Sequence, residues 1–166
     1  RKVEIAADLK IECLNAVADN FLQAEQFAEN LQRSVNFVKG TARLFVDWMD
    51  IYSEHVNQLP SDDQARCQRA GGDAAIHYLQ SYWKLAPDEA LVIVASEIPD
   101  CKTWNFQLSN YWMESLDYRY YTISVNKHSA VYADDGSVTV VVAHQNPGDQ
   151  YPNWLHTTGH DQGGML

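Results

Sequence analysis

Cysteine is scarce in this chain of 166 residues: Cys13, Cys67 and Cys101 stand far apart, with no C-x-x-C spacing. An odd count without close spacing reads as reduced thiols, so a reducing compartment, and hence a cytoplasmic location, is expected. Basic residues are few, 12 Lys and Arg against 22 Asp and Glu, for a formal net charge of −10. A phosphate-tracking surface would need a basic face, so nucleic acid is not an expected partner. The one basic stretch, "RCQRAGGD", is too short to change that. No apolar run approaches the ~20 residues needed to cross a bilayer, and no membrane partner is expected. Nucleotide and nucleophile fingerprints are missing as well. There is no G-x-G-x-x-G, no P-loop and no G-x-S-x-G elbow, and Gly71-Gly72 is an isolated turn signal. Cys101 has no flanking signature of a catalytic thiol. No cofactor is expected.

Proline is absent before Pro60, and what fills that region is a helical pattern. Apolar residues step by three or four from Leu14 through Val17, Phe21, Ala24, Ala28, Leu31, Val35, Val38, Ala42, Phe45, Met49 and Tyr52 to Val56. That is a 3.5-residue repeat, the seam of helix packed on helix. The spacing predicts helix over about 8–58. The faces beside the seam are polar up to Gln32, whereas Leu44, Trp48 and Ile51 add a second stripe. The first half is therefore expected on a surface or a partner, and the second half more fully buried. Gly40 is expected to mark either a break, with Thr41 capping a second helix, or a kink in a continuous one. About six heptads exceed what covering one sheet needs, so the 14–56 seam is expected to build a homo-oligomer or dock in a larger assembly.

Three units are expected: a helical arm over 1–60, a linker over 61–74 around "QLPSDDQ", and an antiparallel β-domain over 75–166. The β-pattern runs through "AAIHYLQSYWKL", "EALVIVASEI" (a buried strand), "TWNFQLSNYWM" and "YRYYTISVN". "SAVYADDGSVTVVVAH" reads as a hairpin, with Asp135-Gly136 as its two-residue turn. "QNPGDQYPNW" and "TTGHDQGG" read as loops. The fold class is α+β: a long helix or helix pair, then an antiparallel β-sandwich. The first residue is Arg and there is no secretory h-region, and the finish "HDQGGML" stops as an apolar segment begins. The chain is expected to be a piece of something longer, with an unpaired edge after Gly164 that would invite strand addition.

"YWKLAPDEALVI", "WNFQLSNYWMESLDYRYYTISVNKHSAVYADDGSVTVVVAH" and "NPGDQYPNWLHTTGHDQGGM" resemble the C-terminal domain of unknown function 1214 family, over roughly residues 75–166. Members often end in a D-G-S hairpin, a P-N-W-L motif and a final strand. The resemblance implies a jelly-roll β-sandwich, often carried by a longer protein, and no established reaction. Relatives usually continue into an apolar strand beyond the Gly-rich loop, and longer ones carry an N-terminal region not seen here.

Candidate site residues cluster in "WNFQLSNYWMESLDYRYY". Trp104, Phe106, Leu108 and Asn110 share one strand parity; Asn105, Gln107, Ser109 and Tyr111 share the other. The polar face is either a wet outer surface or the lining of a cavity. Amides with aromatics suit a neutral polar ligand, such as a sugar, or an extended peptide. Trp104, Asn105, Gln107, Asn110, Trp112, Arg119, Asn153 and Trp154 are the expected ligand-binding residues. Glu114 and Asp117 beside Arg119 are either a structural ion pair or a general acid and base. The histidines His128, His144, His156 and His160 include an H-x-x-x-H spacing, but in a Gly- and Thr-rich loop. Loop hydrogen bonding is expected there, with metal ligation the alternative. Two functions follow. The first is a non-catalytic binding or assembly module. The alternative is a hydrolase using Glu114 or Asp117 with His144, His156 or His160, with or without a metal.

Overall fold

In the computed structural model, residues 8–12, 14 and 23–166 are described. The chain divides into two units, 1–39 and 40–166. The described segment 8–12 is not helical, which corrects a helix beginning near residue 8. Val17 and Phe21 of the seam lie outside the described residues. Helix α1 spans Ala24–Tyr52 and runs unbroken through Gly40. Of the two expectations for Gly40, the break is absent and the helix is continuous, since one glycine costs only about 1 kcal/mol in a helix of helix-compatible neighbours. Phe27, Leu31 and Val38 are exposed, whereas Met49 and Tyr52 are buried. Met49 and Tyr52 pack with Tyr82, and Trp48, Ile51, Tyr111 and Met113 close around them. The second stripe of the sequence thus marks the half of the helix that a core claims.

A short helix, α2 (Gln64–Arg69), replaces part of the expected linker. Asp63 is its N-cap, and its carboxylate accepts from Arg66 N at 3.0 Å.

Seven strands follow: β1 (Ser81–Lys84), β2 (Ala90–Ala95), β3 (Asn105–Gln107), β4 (Ser124–Asn126), β5 (Val138–Ala143), β6 (Trp154–His156) and β7 (Gln162–Met165). They form three sheets ordered β1-β7, β2-β5-β6 and β3-β4. Every pair is antiparallel except β5-β6, which is parallel. The α+β class holds, but the sheets are mixed rather than wholly antiparallel. Bonds outside the ladders connect the sheets: Leu108 bridges Met165, and His156 N donates to Thr122 O at 2.8 Å. One core takes Trp83 from β1, Phe106 from β3, Val125 from β4, Val138, Val140 and Val142 from β5, Leu155 from β6 and Met165 from β7. Alternate residues of β5 supply it, as strand geometry requires.

Three expectations change. β2 was read as a buried strand, yet Val92 and Val94 are exposed. It is an edge strand paired with β5, and alternate residues Leu91 and Ile93 pack on the core while Val92 and Val94 point away. The Asp135-Gly136 turn is not a two-residue type I′ turn. Gly136 N donates to Ala133 O and Ala133 N to Ser137 O, and only Gly136 (φ 82°) takes the left-handed conformation. Residues before that turn form no strand; Val131 instead bonds the Asn153 side chain. Finally, "QGG" of the expected loop is strand. β7 pairs with β1 on one side and with residues 107–109 on the other, through Leu166 N to Gln107 O and Ser109 N to Gly164 O. Both edges are used, so the edge expected after Gly164 is already paired. Gly163 stands here because the backbones touch: a Cβ on it would overlap the Ser109 carbonyl oxygen, whereas one on Gly164 would meet a side chain, 2.7 Å from Ser109 Oγ.

Candidate functional site

The two candidate acids are held by their own turns. Glu114 Oε2 accepts from Asn110 Nδ2 at 2.7 Å, and Glu114 N donates to Asn110 Oδ1 at 3.0 Å. Asn110 Oδ1 also accepts from Trp112 N, so Asn110 organises the 110–114 turn. Asp117 accepts from Arg119 Nε and Nη2 at 3.0 and 3.1 Å. That fork holds the Asp117 carboxyl below the usual carboxylate range, and the guanidinium also lies over the Tyr120 ring. A depressed pKa in an exposed pair fits a structural ion pair and not a general acid.

The histidines bond elsewhere. His144 meets the Thr157 hydroxyl through Nδ1 at 2.9 Å and Leu85 O through Nε2 at 3.4 Å. His156 Nδ1 accepts from Thr158 N at 2.7 Å. His128 and His160 are exposed. None of the bonds made by Glu114 or Asp117 reaches a histidine. Among the described residues, no group of three His, Cys, Asp or Glu side chains is placed to hold a metal ion.

The aromatic-and-amide belt also resolves residue by residue. Trp104 is half-buried against the core, its Nε1 donating to Tyr132 Oη at 3.2 Å. Asn105 is exposed on β3, and Gln107 is half-buried with its backbone spent on Leu166. Trp112 is exposed and meets Tyr111 edge-on. Asn153 is buried; its amide donates to Val131 O and Thr139 O and accepts from Val131 N. That side chain stands in for the strand partner missing before the 133–137 turn.

Trp154 is the residue of the expected set that lines a cleft. The cleft holds about 270 Å3 among Thr122, Asn146, Gly148, Asp149, Tyr151, Pro152 and Trp154. The loop wall is fixed from within. Asn146 Oδ1 accepts from Gly148 N, Tyr151 N donates to Gly148 O, and Gln150 Nε2 donates to Pro147 O. Gly148 (φ 110°) suits this turn because its conformation is left-handed, and the end of the Gln150 side chain lies against it. On the strand side, Trp154 Nε1 donates to Ala143 O at 3.2 Å, which orients the indole. His156 lies beside it at 5.4 Å between ring centroids and stacks on Tyr121 at 4.5 Å. Burial, and then the charge of His144, pushes the His156 pKa down. His156 is thus held neutral, with Nδ1 as acceptor and Nε2 carrying the proton. Sequence reading placed Asn146, Asp149 and Tyr151 in a loop and went no further; the two prolines and the glycine flanking them were the available signal of a shaped turn.

A second polar group was missed altogether. The Asp62 carboxylate is buried, and it receives Arg66 Nη2, Tyr52 Oη (3.3 Å), Cys67 Sγ (3.3 Å) and Asp63 N. Tyr52 Oη also meets the Gln80 side-chain amide. Tyr52, Arg66, Cys67 and Gln80 border a cavity of about 100 Å3 with Trp48 and Tyr78. Burial and then the Asp62 carboxylate push the Cys67 thiol up to about 11, and burial pushes Tyr52 up further. Cys67 is a protonated hydrogen-bond donor here, not a nucleophile. The group ties the end of α1 to α2 and to the approach to β1. The i,i+4 pairing of Asp62 with Arg66 was the signal in the sequence.

No family model matches the chain, and no curated protein matches it. It is similar to an uncharacterised protein from Burkholderia cenocepacia of known crystal structure, with 51% identity and a TM-score of 0.84 over 91% of this chain. The chain spans 41% of the length of that protein.

Proposed function

We propose that the chain is a non-catalytic binding module whose ligand is a neutral, polyhydroxylated molecule of the sugar class, held in the Trp154 cleft. The observation that carries this reading is the cleft's composition. An oriented indole and Tyr151 supply flat apolar area. Thr122, Asn146, Asp149 and Tyr151 supply donors and acceptors at its rim. A formal charge of −10 disfavours an anionic ligand. The loop is held by its own hydrogen bonds, so little ordering is needed on binding.

In this reading the domain is a jelly-roll β-sandwich related to the C-terminal domain of unknown function 1214 family. The core shared by all three sheets and the bonds that connect them support it. The α1 seam serves self-association or docking. The hydrolase alternative has less support, because Glu114 bonds Asn110 and Asp117 bonds Arg119, apart from His144 and His160, which both bond Thr157. Titration of intrinsic tryptophan fluorescence with neutral di- and oligosaccharides, beside extended uncharged peptides, tests the proposal. Saturable change with a saccharide supports it. Response to peptides alone, or to nothing, rejects it.

A further inference from the structure

The described part of α1 in the first unit carries a stripe that looks self-complementary in charge as well as in shape. Ala28, Leu31, Val35 and Val38 follow one another by three, four and three residues, and Phe27 lies beside them. Leu31 and Val38 are 55% and 65% exposed, and Phe27 is 52% exposed. Exposed apolar side chains at heptad spacing need a second helix to cover them. With Ala28 and Val35 at heptad position a, Leu31 and Val38 fall at d. Glu25, Gln32 and Lys39 then fall at e, and Phe27 and Ser34 at g.

Direction follows from the charges. In an antiparallel pair, a layers against d, and e faces e. Setting Leu31 against Val35 of a second copy sets Ala28 against Val38, Gln32 against Gln32, and Glu25 against Lys39. Two-fold symmetry makes each of these contacts twice except the central Gln32 pair. A parallel in-register pair instead brings Phe27 to Gln32 and Ser34 to Lys39, and leaves Glu25 without a base. Both copies are acidic overall, so a local match of opposite charge is what a homodimer of this chain needs.

We infer that residues 25–39 of α1 pair with the same residues of a second copy, antiparallel, with Glu25 of each against Lys39 of the other. This rests on the self-association reading above and fixes its direction and register. Sedimentation equilibrium of the full chain tests it with Glu25→Lys, Lys39→Glu and the double swap. Each single change turns two attractive pairs into two repulsive ones and should weaken the dimer about tenfold. The double swap should restore it to within about threefold. Glu25 lies in the first turn of α1, and its loss disfavours the helix by itself. The double swap keeps that loss, so restoration reports the pairing and not the helix, and circular dichroism of all four proteins confirms helicity. A dimer indifferent to the single changes, or one the double swap does not restore, overturns the register and leaves self-association standing. A wild-type monomer at high micromolar concentration overturns both.

Discussion

His156 stacks on Tyr121, with ring centroids 4.5 Å apart and planes 29° from parallel, at the edge of the cleft that Trp154 lines. The stack holds a neutral imidazole: Nδ1 accepts the Thr158 amide, and burial disfavours the cation. In the unfolded chain the same histidine titrates near 6.5. A folded pKa below the unfolded one means the unfolded state binds the extra proton first. Stability should therefore fall as pH drops from about 7.5 through 6.5, and level off below the depressed folded value. His156→Phe keeps the stack and removes the proton, so urea midpoints of that variant should change less across this range. An equal slope in both proteins would assign it to another group.

Gly163 and Gly40 make opposite predictions from the same residue type. A Cβ at Gly163 would strike the Ser109 carbonyl and lie 3.0 Å from Asn110 Cα, where backbone must give. Gly163→Ala should cost about 3 kcal/mol or more. Gly40 is within α1 with nothing inside 4 Å of an added Cβ. Gly40→Ala should add about 0.5–1 kcal/mol of helix stability. Thermal or urea unfolding of the two variants reads both signs.

Removing the Asp62 carboxylate should be among the more damaging single changes in the 40–166 unit. Its side chain is 5% exposed and Arg66 is 21% exposed, so Asp62→Asn strands a partly buried guanidinium at about 3 kcal/mol. The same group sets an alkaline limit. The Cys67 thiol is held protonated to about 11 in the folded chain and ionises near 8.5–9 when unfolded. Its contribution is complete below that unfolded value and is lost as pH rises toward 11. Thiol labelling at pH 8 should find Cys67 slow and half-exposed Cys101 fast.

Glu114→Gln and Asp117→Asn should leave saccharide binding unchanged, because each acid serves its own turn. Loss of binding in either variant, with folding intact, would bring the hydrolase reading forward again.

The elements legible in the sequence are those whose cause is local. Alternation at Trp104, Phe106 and Leu108 set the inward face of β3, and the deepening stripe at Trp48 and Ile51 marked the buried half of α1. β7 was not legible, because Gly163 and Gly164 read as loop until the backbone of Ser109 is known to pass against them. Asn153 read as a ligand residue for a similar reason. A buried amide that replaces a missing strand and an amide that meets a ligand carry the same letter. The Trp154 cleft joins Thr122 before β4 to a loop that starts more than twenty residues later, and no local pattern carries that contact.

The cleft, and not the belt, is the central claim, and the five tryptophan indole signals separate them. Nitrogen-edited NMR during titration with a neutral oligosaccharide, with Trp154→Phe to assign its signal, should move the Trp154 indole resonance and leave those of Trp104 and Trp112 in place. Movement of Trp104 or Trp112 with Trp154 still, or no movement at all, would contradict it.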